Sequence, residues 1–303
     1  MKFTRLISTT LLSATTLASL LAPDATFADV PNKDPDANGG TALPQTDQTT
    51  AGISFGDSKP NPNTGHLRLQ KVPSILDFGN HVEFNQAYPN FTADGKNTDN
   101  ANNNRFTSSS NNRVVSYNKN NTNLTPVLKN TEVKDLDNMQ GLTYVCVVDK
   151  QSRRHGLESA SAAGLWTLSV KANDYLTRVD NDGNKMDGSI INANIIFNNT
   201  AYGQTQDIYN LTGESQDKDW IPDPAAAPLS KDSIEQKISV PLFRTSGNGS
   251  TVAKAHVSSG TGANLFGWKP SDITLALPAS ATVTSPAKYE VQLTWTLSSD
   301  ASI

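Results

Sequence analysis

The chain has 303 residues, a formal net charge of −4, and only 36% hydrophobic and 7% aromatic content. That length allows one large all-β domain or two smaller ones with a proper core, while the low apolar fraction demands long polar loops. The acidic balance leaves no basic footprint for nucleic acid and argues against capturing any polyanion by charge alone.

Lys2 and Arg5 precede an apolar run from Leu6 to Leu21, and Thr26-Phe27-Ala28 follows with small residues at the −3 and −1 positions of a cut between Ala28 and Asp29. This pattern predicts a secretory signal peptide over residues 1–28. The run is too short and too polar for a stable membrane anchor, and no later stretch could span a bilayer, so the mature chain is expected outside the membrane. Residues 29–66 are rich in Pro, Gly, Asn, Asp and Thr and poor in apolar side chains. Such a segment predicts a disordered N-terminal arm or flexible linker, which places the folded domain at 67–303. Within the arm, Leu43-Pro44-Gln45-Thr46-Asp47 imitates a sortase sorting signal, but Asp47 stands where glycine is needed and no hydrophobic tail follows. Retention at a surface would then have to be non-covalent.

Leu67-Arg68-Leu69 and Ser74 to Gly79 open the ordered part, followed by Asn-rich stretches that favour turns over ladders. Arg113 to Tyr117 interrupts them as a short strand. Leu142 to Val148 is an almost continuous apolar run, the signature of a strand covered on both faces. Cys146 lies inside it, so the one cysteine of the chain is expected as a core residue, with no activating partner for a reactive thiol. Trp166 to Val170, then Ile191, Ala193, Ile195 and Phe197, then Ile238 to Leu242, Thr251 to Val257 and Ile273 to Leu277 supply further strands. Pro241 suits an edge. In the last strand Tyr289, Val291, Leu293, Trp295 and Leu297 alternate with Glu290, Gln292, Thr294 and Thr296, a period of two that buries one face. No stretch keeps a 3.6-residue period over helical length. The expected fold is all-β, an antiparallel β-sandwich or irregular barrel with long polar loops.

Two segments repeat one short pattern: Trp166-Thr167-Leu168 and Tyr289-x-x-x-Leu293-Thr294-Trp295-x-Leu297. Together they resemble the proximal and distal motifs of the WxL domain, a cell-wall-binding module of Gram-positive surface proteins. Ser74 to Gly79, Thr261 to Trp268 and Leu277-Pro278 are similar to other segments of that family. The family's distal motif usually ends in proline four residues after its leucine, where this chain has Ala301. The resemblance covers about Leu67 to Ile303 and implies non-covalent attachment to peptidoglycan at the cell surface. It also implies a membrane-anchored WxL-interacting protein as a candidate partner. The wall-binding motif it marks is Trp166, Thr167, Leu168, Tyr289, Leu293, Thr294, Trp295 and Leu297.

Strand alternation assigns Trp166 and Trp295 to the core, whereas the family's link to glycan draws them towards a sugar-stacking platform. They are expected as partly buried organisers of the binding face. Arg153, Arg154 and His155 form a local cationic spot in the loop before the proximal motif, either a receptor for a carboxylate or a solvated loop. Asp180, Asp182 and Asn184 imitate the start of a calcium loop, but Lys185 and Ile191 occupy the positions of its glycine and its bidentate glutamate, so a turn is expected. His66, His81, His155 and His256 lack metal-ligand spacing. No nucleophile elbow, zinc-protease or phosphate-loop motif is present. The sequence calls for no cofactor and no catalysis. The expected function is a secreted, wall-attached surface protein; the alternatives are an adhesin or structural subunit that binds a partner protein or host matrix, and a wall glycan hydrolase.

Overall fold

A computed structural model describes residues 39–41, 44–51, 63–100, 115–129, 131–151, 165–222, 227–244, 246–247, 249–256 and 259–299. The expected signal peptide, with Ala28 and Asp29, lies outside the described residues, as does most of the segment expected to be a linker.

The described residues form three antiparallel sheets that do not close into a barrel, the sandwich form of the expected all-β fold. The first sheet is built around the last strand, β15 (Lys288–Ser298), as the long alternation predicts. Along one edge of β15 runs β1 (Gln45–Ala51), paired from Val291 to Leu297. Along the other edge run β6 (Trp166–Ala172) and its continuation β7 (Leu176–Val179). Two strands complete this sheet: β8 (Lys185–Ile190) pairs with β7, and β12 (Ser250–Ala255) pairs with β6.

The second sheet has the order β10 (Ala201–Thr205), β13 (Gly262–Trp268), β5 (Thr143–Asp149), β2 (Leu67–Lys71). Both its faces are covered. Val145, Val147, Phe266 and Trp268 enter the main core, while Cys146, Val148, Ala263 and Leu265 pack in a second cluster with Leu136, Met139 and Ile208. Leu136 and Met139 come from a 3-10 helix at Lys134–Met139, and Ile208 from the short helix α1 (Ile208–Thr212). This double cover explains the unbroken apolar run read at Leu142 to Val148. Met139 approaches the sheet through a slot that only glycine leaves open. A Cβ on Gly203 would sit 2.6 Å from its Cγ, and one on Gly267 2.6 Å from its Cε.

The third sheet runs β11 (Lys237–Pro241), β9 (Asn194–Asn198), β14 (Ile273–Ala276), β3 (Asn90–Thr92), β4 (Lys96–Asn97). Pro241 lies on its edge strand, where a missing N–H breaks no ladder. All three sheets meet at an aromatic junction. Trp295 of the first packs 6.1 Å from Trp268 of the second and 5.8 Å from Phe197 of the third, and Phe197 lies 4.9 Å from Trp268. Tilted and edge-on pairs of this kind add about 0.5–1.5 kcal/mol each beyond the area they bury.

The structure departs from the sequence reading in four places. Gln45–Ala51, expected within a disordered arm and including part of the sortase-like pentapeptide, is a strand. Its side chains are too polar to predict burial; backbone pairing with β15 and the Gln45 carboxamide hold it instead. Gln45 is 2% exposed, and its Nε2 donates to the carbonyls of Thr41 (3.1 Å), Thr64 (3.2 Å) and Leu67 (3.0 Å) while its Oε1 accepts from Leu69 N at 2.9 Å. Second, Ile191 is 58% exposed although Ala193, Ile195 and Phe197 are buried as expected. Asn192 takes a left-handed conformation (φ 60°), which turns the chain from the first sheet to the third and swings Ile191 outward. Third, Val115 to Tyr117 is not a strand, and Arg113 and Val114 lie outside the described residues. This loop hangs on the buried Asp77 carboxylate, which accepts from the backbone N–H of Gly79 (3.0 Å), Tyr117 (3.1 Å) and Leu124 (3.0 Å). Fourth, the turn at Asp180 leads into the unpredicted strand β8. Asp180 Oδ1 accepts from Asp182 N and Asn184 N, both at 2.9 Å, so its carboxylate closes the turn as expected.

Candidate functional site

The two motif segments, more than a hundred residues apart in sequence, are neighbours in space. Strands β6 and β15 pair antiparallel with Leu168 opposite Leu297 and Trp295 opposite Val170. Trp166, Leu168, Leu293, Trp295 and Leu297 are all 0% exposed. Thr167 and Thr294 lie on the outer face, and Thr294 Oγ1 donates to Asn173 Oδ1 at 2.7 Å. The tryptophans, expected to be partly buried, are therefore fully buried. Both faces of each indole are inside the core, because the inward side of β6 and β15 is covered by the other two sheets.

Trp166 has a second anchor. Its Nε1–H donates to Asp149 Oδ2 at 3.1 Å, and Gln151 N donates to Asp149 Oδ1 at 3.0 Å. Asp149 is buried, and burial pushes its carboxyl up to about 7 against the two hydrogen bonds that favour the ionised form. Next to it, Lys150 turns away to an ion cluster. Its Nζ lies 2.8 Å from Asp217 Oδ1, and Arg68 grips the same carboxylate with Nη1–Oδ1 at 3.0 Å. Burial acts to raise the Asp217 carboxyl, but the bonds from Arg68, Lys150 and Thr212 outweigh it and hold it below the usual range. Cys146 is buried as expected, and burial pushes its thiol up to about 12, which suits a structural rather than a nucleophilic role.

Tyr289 is the motif residue that reaches an accessible surface from the inward face. Going from Leu297 back through Trp295, Leu293 and Val291, that face of β15 is closed, and at Tyr289 the sandwich opens into a cleft of about 760 Å³. Leu76, Phe91, Ile195, Leu275 and Val291 form its apolar floor. Phe78, Val82, Phe84, Tyr117, Met186 and Pro286 shape its walls, and Arg178, Lys119, Lys288, His81 and Glu83 bring charge or hydrogen bonding to it. Tyr289 OH accepts from Thr284 N at 3.1 Å, which fixes the ring against the loop before β15. Arg178 of β7 is the direct cross-strand partner of Tyr289, so the two side chains leave the sheet on the same side. Lys288 Nζ lies 3.1 Å from Glu290 Oε1 and 5.7 Å from the Tyr117 ring centre. Burial and the nearby Glu290 and Asp77 carboxylates raise the Tyr117 phenol far above its ordinary value, so it stays protonated. A cleft of this volume, apolar below and polar at the rim, has the form of a ligand site.

Arg178, Lys119 and Tyr117 had no signal in the sequence, since only the strand register and the Asp77-held loop bring them to Tyr289. The cationic spot at Arg153, Arg154 and His155 lies outside the described residues. Among the described residues no helix is long and apolar enough to cross a membrane.

An all-β domain with a buried two-strand signature and an open cleft is the class these features define. The chain matches the family model described as WxL domain, surface cell wall-binding, over residues 25–300, and it belongs to that family. The match takes in β1 as well as the later sheets. Comparisons with curated proteins and with solved structures returned no match.

Proposed function

We propose that the protein is exported and held non-covalently on peptidoglycan by this β domain, without acting on the glycan as an enzyme. The observation that supports the reading is the family match from residue 25 to residue 300, which makes nearly the whole chain the wall-binding unit. Burial of the signature tryptophans supports a division of labour in which β6 and β15 build the scaffold and the wall is met elsewhere. Sedimentation of the purified chain with bare peptidoglycan sacculi, stripped of secondary polymers, tests the proposal; the chain should pellet with them. Retention only when a membrane-anchored WxL-interacting protein or a host matrix protein is supplied would replace the reading with that of an adhesin or structural subunit. Clearing of embedded wall material in a zymogram would replace it with a hydrolase.

A further inference from the structure

The cleft beside Tyr289 combines an apolar floor with cationic charge that the protein leaves uncommitted. Among the described residues Arg178 and Lys119 take part in no ion pair, whereas the Asp180 carboxylate is engaged by its own turn and Glu290 by Lys288. Arg178 is half-buried on a strand with its backbone opposite Tyr289, and it lines the cleft, where a guanidinium can take a planar, bidentate partner. One guanidinium, one ammonium and a wall of Phe78, Phe84, Val82 and Met186 suit a ligand with a single carboxylate and methyl-sized apolar groups. They do not suit a polyphosphate, which would need repeated cations.

Resting on the wall-binding reading, we infer that this cleft is the receptor for the carboxylate-bearing peptide stem of peptidoglycan, with Arg178 pairing the carboxylate and the apolar walls taking the alanine methyls. The stem enters at the open end of the core, next to the motif tyrosine. This gives Tyr289 a role distinct from that of the buried tryptophans.

The test pairs two measurements on the full mature chain. Binding to a soluble disaccharide-tetrapeptide with free carboxylates is measured by calorimetry, beside the same muropeptide with its carboxylates amidated and the disaccharide without peptide. Sedimentation with sacculi is run in parallel. The free-carboxylate muropeptide should bind, and amidation or Arg178→Gln should each weaken it by at least about tenfold, as expected for losing a charge-assisted hydrogen-bonded pair. Val82→Trp should weaken it similarly by filling the mouth, since Val82 is 56% exposed and its replacement disturbs no core contact. Thermal melting of both variants should match wild type. Equal affinity for the peptide-free disaccharide, or wild-type affinity in both variants, would overturn the assignment of the cleft while leaving attachment to sacculi intact. Failure of the wild type to sediment with sacculi would instead remove the wall reading, and the muropeptide titration would then decide the cleft by itself.

Discussion

Trp295 carries the signature yet contributes through packing. It is enclosed by Phe197, Trp268 and the inward face of its own sheet, and truncation to alanine would leave a cavity the surrounding strands cannot fill. Trp295→Ala is expected to cost about 3–5 kcal/mol and to lower wall binding and melting temperature together. Thr296→Ala, on the outer face, should stay within about 0.5 kcal/mol of wild type and bind normally. A Trp295→Ala protein that melts normally but no longer binds would contradict the packing role. Asp149 offers a second test at this scale. Burial raises its carboxyl from 3.8 to about 7, so folding favours the protonated acid. Its contribution is full below about pH 4, falls as pH rises to about 7, and is flat above that. Asp149→Asn keeps an oxygen that can accept from Trp166 and removes the titration. The stability difference between variant and wild type should therefore grow in the variant's favour across that window. A difference profile that is flat from pH 4 to 7 would show that Asp149 ionises without cost.

Among the strands of five residues or more, β1 has the least apolar content, and a single side chain anchors it. Its partner edge is the signature strand β15, and the Gln45 carboxamide ties it to the backbone of β2. Gln45→Ala would leave the buried Leu69 N–H and Leu67 carbonyl without that partner, at a cost of about 1–3 kcal/mol. Limited proteolysis should trim wild type only upstream of Gln45 or between β1 and β2, with the 45–51 strand retained. In Gln45→Ala the protected fragment should begin near Leu67. A wild-type fragment that already begins at Leu67 would show that β1 is not stably docked. The contrast with β15 shows what pattern alone can disclose. Alternation at Tyr289 to Leu297 announces a strand because burial dictates its side chains, and the apolar run at Leu142 to Val148 announces double cover for the same reason. Strand β1 (Gln-Thr-Asp-Gln-Thr-Thr-Ala) is almost wholly polar and β8 is almost wholly exposed, so composition reads them as linker and loop. Both exist because a neighbour's backbone edge is available, which is a tertiary fact.

At the scale of the whole molecule, the pairing of the two motif strands is a finding of the fold, and only the inward position of their tryptophans followed from alternation in the sequence. The cleft did not, because it is made where three chain regions meet: the end of β15, the β7–β8 hairpin, and the loops around Phe78 and Tyr117. Only the register that sets Arg178 against Tyr289, and the Asp77 carboxylate that holds the Tyr117 loop, put those residues together. The same global view decides how attachment should respond to salt. The chain carries a net charge of −4, so an anionic wall repels it weakly at long range. If the contact is one guanidinium–carboxylate pair in an apolar cleft, its strength lies within a few ångströms, inside even a short Debye length. Retention on sacculi is therefore expected to change little between roughly 0.05 and 0.5 M salt, over which the Debye length shrinks about threefold. Near-complete release across that range would require many exposed cations acting at a distance. It would move the attachment site away from the cleft, with the loop at Arg153 and Arg154 as the first place to mutate.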